Sequence, residues 1–308
     1  MSRFHILADV KQQEEASRTA KGRTVRGLKA TRRIIGDALG HFNTDDGWAM
    51  ASHVAISALM ALFPFLIFAT ALASFLGADA FSQQAVDLIF DTWPKEVAEP
   101  IAREVHNVLG VRRSDVLTFG VVLAGVFASN GVEALRLSLN RAYRVSEKRS
   151  IFRLRAQSLF FVLVATLGFL AISLLLVIAP VALRIAASNL EWIAPYVGTI
   201  TFWRYVIALT VLILALISVH LWLPAGRRSL WDVLPGVVFT LFGSFIGSSL
   251  FAAYLGRFGS YASTYAGLAS IMIAVVFLYI ISAVFILGGE LNASIKRYRE
   301  ARAVAGAG

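Results

Sequence analysis

The sequence predicts an all-α, polytopic membrane protein with six transmembrane helices and both termini in the cytoplasm. Three observations carry this. The 308 residues are 57% hydrophobic and 16% charged, with a mean hydropathy of +0.70. A soluble domain carries about 45–50% apolar and about 25% charged residues. The apolar excess falls in six long runs with few or no charges, the mark of membrane spans. Finally, 22 of the 29 Lys and Arg residues fall on one side of those runs, and positive residues stay cytoplasmic. This pattern excludes a typical soluble enzyme, a disordered chain and a coiled coil. With no Cys, disulfides, thiolate metal sites and Cys nucleophiles are excluded too.

Residues 1–47 form a basic cytoplasmic segment. Val25, Leu28, Ile35 and Leu39 recur at roughly helical spacing among Arg23, Arg26, Lys29, Arg32 and Arg33. That spacing predicts an amphipathic helix from Lys21 to Phe42, lying on anionic lipids of the inner leaflet. Nucleic acid is the competing partner for such charges, but a span follows directly, which favours lipid. The polar, basic start does not read as a secretory signal.

The six-helix domain occupies residues 48–290. Its spans are read as Trp48–Gly77, Val116–Val132, Leu159–Leu183, Tyr205–Leu223, Val233–Leu255 and Ala266–Gly289. The second is short for a membrane of ~30 Å and is expected to continue to Asn140. The outer loop 78–115 holds two amphipathic stretches broken at Pro94 and is expected to cap the outer mouth. Residues 291–308 form a basic cytoplasmic tail.

Ionisable residues at membrane depth are costly, about 2.5–3.5 kcal/mol at a helix centre on insertion scales, so each needs a reason. Asn130, Glu133 and Asn140 are expected on one helical face, with Arg136 and Arg141 one and two turns beyond Glu133. Two roles compete: a polar site at the cytoplasmic end of a central cavity, or a helix end emerging into headgroups. Glu290 and Asn292 follow Gly288 and Gly289, whose missing side chains permit a close helix approach. Arg136 or Arg141 is the expected partner of Glu290, in a structural ion pair or a transport site. His53 and His220 have no second ligand at metal spacing, and no metal or cofactor is expected. Asp232 reads as a first-turn residue favoured by the helix dipole.

Backbone breakers add further constraints. Pro64, in the middle of the first span, must kink it or free a carbonyl. Gly243 and Gly247 form a GxxxG suited to close packing in the fifth span. Tyr261 and Tyr265 lie in the glycine-rich outer turn and are candidates for an outer gate.

Several blocks resemble a known family. Ala-Leu-Phe-Pro-Phe at 61–65, Ser129-Asn-Gly-Val-Glu-Ala-Leu-Arg136, Leu139-Asn-Arg-Ala-Tyr143, Leu234-Pro-Gly236 and Leu287-Gly-Gly-Glu-Leu-Asn292 are similar, in order and spacing, to the YihY/virulence factor BrkB family, once mislabelled ribonuclease BN. The resemblance covers about residues 45–295. It implies a six-helix bacterial inner-membrane protein with cytoplasmic termini, and transport of lipid or small solutes as its activity. A transporter or lipid flippase is therefore the leading expectation, acting through a polar cavity in the bundle. There is no GxxxxGK[ST] phosphate loop, so no ATPase of its own is expected. A non-transporting scaffold is the alternative. Ribonuclease chemistry would need clustered His and Asp ligands, which the sequence does not offer.

Overall fold

The computed structural model describes residues 29–75, 114–180, 183, 187, 191–264 and 266–305. The first 28 residues and nearly all of the outer loop lie outside these, as do Tyr265 and the side chain of Tyr261. The described residues form α1 (29–44), α2 (Gly47–Phe75), α3 (Ser114–Ala142), α4 (Ile151–Ser173), α5 (Val197–Trp222), α6 (Leu230–Thr264) and α7 (Ala266–Ala305), with no strand among them. Six helices, α2 to α7, are long and apolar enough to cross a membrane. The all-helical, six-span expectation is met.

The element ends differ from the hydropathy boundaries in one consistent way: at one end of the bundle, helices run on past their apolar stretches. α3 reaches Ala142, α4 begins at Ile151 rather than Leu159, and α7 continues through Glu290 and Asn292 to Ala305. Hydropathy marks where hydrocarbon ends, whereas backbone hydrogen bonding carries a helix on through polar residues. The far end of α4 widens into a π-helical segment, Leu174–Ile178. Pro64 lies within α2, which remains helical around it; the ring takes away one amide donor.

From α2 onward each helix packs on the next in the chain and α7 closes the ring against α2, with α7 also touching α3. Alternate helices run in opposite directions, because the start of α2, the end of α3, the start of α4, the end of α5, the start of α6 and the end of α7 all meet at one end of the bundle. That end holds most of the described Arg residues and is called the arginine end below.

The α6–α7 contact is the closest in the ring, and glycine makes it possible. A Cβ on Gly236 would lie 2.2 Å from the Gly288 carbonyl oxygen, and one on Gly288 would lie 2.8 Å from the Gly236 carbonyl oxygen. Two and three turns further along α6, Gly243 abuts Val284 and Gly247 abuts Ile280. The GxxxG therefore serves packing, and α6 presents a small-residue stripe along much of its length. Gly289 turns the other way, towards Leu139 and Ala142 of α3. The Gly288-Gly289 pair thus lets α7 approach two neighbours at once.

Candidate functional site

Within the ring lies a partly open cavity of about 740 Å³ to which all six spans contribute. Its wall is almost wholly apolar: Val54, Leu62 and Phe65 from α2, Val132 and Leu135 from α3, Leu212 and Leu216 from α5, Leu278 and Phe285 from α7. Among the described residues, its side-chain hydroxyls come from Thr240, Ser244, Ser248 and Ser282, all on α6 and α7. Asn130, Glu133, Arg136, Asn140, Arg141, Glu290 and Asn292 do not line it. The cavity is greasy, not polar as the sequence suggested, because those candidates lie beyond its floor or on the outside of the ring.

The floor is a plug of Leu139, Phe161, Leu223 and Phe285, with Tyr143 and Val219 packed against it. Below it comes a polar layer that ties the helix ends together. Asn292 is 2% exposed; its Oδ1 accepts from the Gly236 amide at 2.6 Å, and its Nδ2 donates to the Val233 carbonyl and to the Tyr143 hydroxyl. The Tyr143 oxygen lies 3.0 Å from Nδ1 of fully buried His220, and the Arg228 guanidinium stacks 3.9 Å over the Tyr143 ring. Burial pushes the Tyr143 hydroxyl up to about 12, so it stays a neutral hydrogen-bonding group.

Asn140 fastens the α5–α6 turn, accepting from the Ala225 amide at 2.7 Å and donating to Glu147. Arg149 grips Glu147 through Nε at 2.7 Å, Nη2 at 2.6 Å and its backbone amide, and also reaches the Leu223 carbonyl. These hydrogen bonds hold the Glu147 carboxyl at about 2, below its ordinary 4.5, although burial acts the other way. A carboxyl lowered in the folded state contributes stability above its unfolded value and loses it as pH falls through the folded value. Acidification from about 4.5 towards about 2 is therefore expected to loosen the 143–150 loop, seen as faster amide hydrogen exchange. Glu147→Gln should show that faster exchange already at neutral pH.

Glu290 is 1% exposed, and among the described residues its Oε2 has no hydrogen-bond partner. The nearest cation is Arg144 at 3.7 Å, which also pairs with Asp45 at 2.5 Å. The expected partners are engaged elsewhere: Arg141 with Asp46 at 2.7 Å, Arg136 with Ser158, the Leu154 carbonyl and Glu133. Arg144 and Asp46 both adopt left-handed backbone, φ 53° and 54°, a strained choice for these side chains. Each sits in a tight turn at a helix end, and together the two turns face Glu290 with a charged clasp.

Asn130 and Glu133 do not join this layer. They sit on the outer face of α3 and meet Arg155 of α4, which bonds Ser129, Asn130 and Glu133 from Nη1 at 3.3, 3.1 and 2.9 Å. The candidates thus separate into an outward group (Asn130, Glu133, with Arg136 at its edge) and an end group (Asn140, Arg141, Glu290, Asn292). Arg144, Tyr143 and Arg155 are additions of the structure. Arg155 was hidden by its place among the charges preceding the third apolar run. Asp232 falls in the first turn of α6 as expected, accepting from the Ser229 amide. Among the described residues, no three His, Asp or Glu side chains are placed to hold a metal.

A ring of six antiparallel membrane helices around an apolar chamber, closed at one end by a polar clasp, defines a polytopic membrane protein with an internal cavity. The chain belongs to the BrkB virulence-factor family, whose model matches residues 38–307. It is 28% identical over 267 residues to a ribonuclease-like protein, YfkH, of Bacillus subtilis, covering 87% of this chain and 96% of that one. It is 23% identical over 270 residues to the UPF0761 membrane protein RC1_0578 of Rhodospirillum centenum, covering 86% of this chain and 58% of that longer one. No solved structure matches.

Proposed function

We propose that this protein transfers a lipid, or a comparably apolar solute, across the bacterial inner membrane by way of the cavity in its helix ring. The observation that carries this reading is the chamber itself: about 740 Å³, walled by six helices and lined by aliphatic and aromatic side chains. Ligand pockets commonly span about 300–1,000 Å³. A wall of Leu, Val and Phe favours acyl chains over a hydrated solute, because a polar guest would leave its hydrogen bonds unmade. The positive-inside distribution supports a cytoplasmic arginine end. There the Leu139–Phe161–Leu223–Phe285 plug and the polar layer beneath it act as the closed inner gate. Lacking a phosphate-binding loop, the transfer follows the lipid's own gradient or an ion gradient.

The test is transfer of a fluorescent phospholipid between leaflets of vesicles containing the purified protein. Ser244→Trp, whose indole would project into the chamber and narrow the path through it, is expected to reduce transfer at least about tenfold while leaving the fold intact, since the open chamber can take the ring without overpacking. Ser249→Trp, on the neighbouring exposed position of α6, should transfer normally. A scaffold that moves nothing predicts no transfer by the wild type and full cellular function in Ser244→Trp.

A further inference from the structure

We propose that the outer seam between α3 and α4 holds the phosphate of an anionic lipid headgroup, with Arg155 as its main contact. Val122, Val126 and Leu137 are well exposed along one stripe of α3, and in a membrane that stripe faces hydrocarbon. Asn130 and Glu133 lie within the same stripe. On α4, Arg155 is flanked by exposed Phe152 and Leu159. At the edge of the apolar runs a basic cluster stands where anionic headgroups are attracted to Arg and Lys.

The direction of the Arg155 side chain sharpens the case. Its partners Ser129, Asn130 and Glu133 lie where the apolar run of α3 closes at Val132, ahead of the polar last turns that carry the helix on to Ala142. Arginines near a membrane boundary ordinarily extend towards water, whereas this one bends back along the seam to the edge of the apolar run, the level at which lipid phosphates lie. Its side chain is still 45% exposed. All three of its contacts use Nη1, so among the described residues Nε and Nη2 make no bond. Two guanidinium groups, Arg155 and Arg136, share the single carboxylate of Glu133, which leaves the ionised cluster one positive charge in excess.

An open guanidinium edge beside one excess positive charge suits a phosphate oxygen pair. The exposed Val126, Leu137 and Leu159 beside it suit acyl chains. On their other side the same two helices present Gly131, Val132, Val162 and Ala165 to the cavity, so a lipid held at the seam waits against the chamber wall. The inference deepens the lipid-transfer reading and rests on it for the route, but the binding stands by itself.

Native mass spectrometry of the purified full chain tests it by comparing retention of phosphatidylglycerol and phosphatidylcholine. The wild type is expected to retain phosphatidylglycerol about tenfold more strongly, the effect of one charge-assisted contact. Arg155→Gln should abolish the preference, Arg155→Lys should keep part of it, and Glu133→Gln should strengthen it by removing the competing carboxylate. Thermal unfolding of each variant separates loss of binding from loss of fold. Displacement of the lipid by millimolar inorganic phosphate would identify free phosphate as sufficient, and its failure would identify the whole headgroup. Equal retention of the two lipids, a preference that survives Arg155→Gln, or a dimer held by Arg155 without lipid preference would overturn the proposal. Ser244→Trp should keep the preference while losing transfer, so the seam and the chamber fail separately.

Discussion

Replacing Gly236 with alanine is expected to destabilise the protein by about 3 kcal/mol or more, at the upper end of overpacking effects. Its Cβ would stand 2.2 Å from the Gly288 carbonyl oxygen and 2.4 Å from Asn292 Nδ2. Neither can retreat easily: one is backbone, and the other belongs to a side chain fixed by three hydrogen bonds. α6 and α7 must separate, and the Gly236–Asn292 bond that fastens the polar layer goes with them. Gly243→Ala is expected to cost less, because its Cβ meets a Val284 methyl at 2.7 Å, and Val284→Ala should recover most of the loss. Gly256→Ala, with nothing within 4 Å among the described residues, should be neutral or slightly stabilising through its better helix propensity. Thermal unfolding in detergent ranks the three.

Arg144→Ala is expected to cost about 2–4 kcal/mol, because removing one partner of a buried pair leaves an uncompensated charge. The range is set below the largest buried-pair values because the Arg144 side chain is 32% exposed. Glu290, 1% exposed, would lose its nearest cation, and Asp45 would lose its 2.5 Å partner. Glu290→Gln alone should be milder, since it removes the charge and keeps the shape. Combined with Arg144→Ala it should recover more than half of the single-variant loss, a coupling that a double-mutant cycle reads directly. Full additivity would mean that Arg144 acts only through Asp45 and the α1–α2 turn.

The arrangement of spans was legible in the sequence because hydropathy and charge placement each specify it independently. Where helices end was not. Arg153, Arg155 and Gln157 read as loop, yet all lie within α4; the basic tail likewise continues α7. The polar candidates were identifiable one at a time through their cost at membrane depth, but their grouping was not. Asn140 bonds a backbone amide 85 residues away, and Arg144 pairs across 99 residues. Spacing along one helix carries no information about which neighbour a side chain meets. Asn130 and Asn140 were placed on one face, yet one lies on the exposed outer stripe and the other is buried at the helix end. The chamber itself left the faintest trace. Its lining residues read in sequence as ordinary apolar packing, and only the closure of the ring separates the inward Leu and Val from those facing lipid. The packing role of Gly243 and Gly247 was readable because small residues in that pattern have few other uses in a membrane helix.

The central claim, that the chamber houses a lipid chain, can be tested in the membrane. The chain has no native Cys, so Ser244→Cys can carry a photoactivatable cross-linker with no background labelling. Ala293→Cys, at a buried position in the helix packing beyond the chamber floor, serves as the reference. Irradiation is expected to attach phospholipid to the probe at 244, and to lose that product when the chamber is also narrowed by Leu216→Trp; the probe at 293 should capture only protein. Protein-only cross-links at 244, or lipid capture that ignores Leu216→Trp, would contradict a lipid-holding chamber.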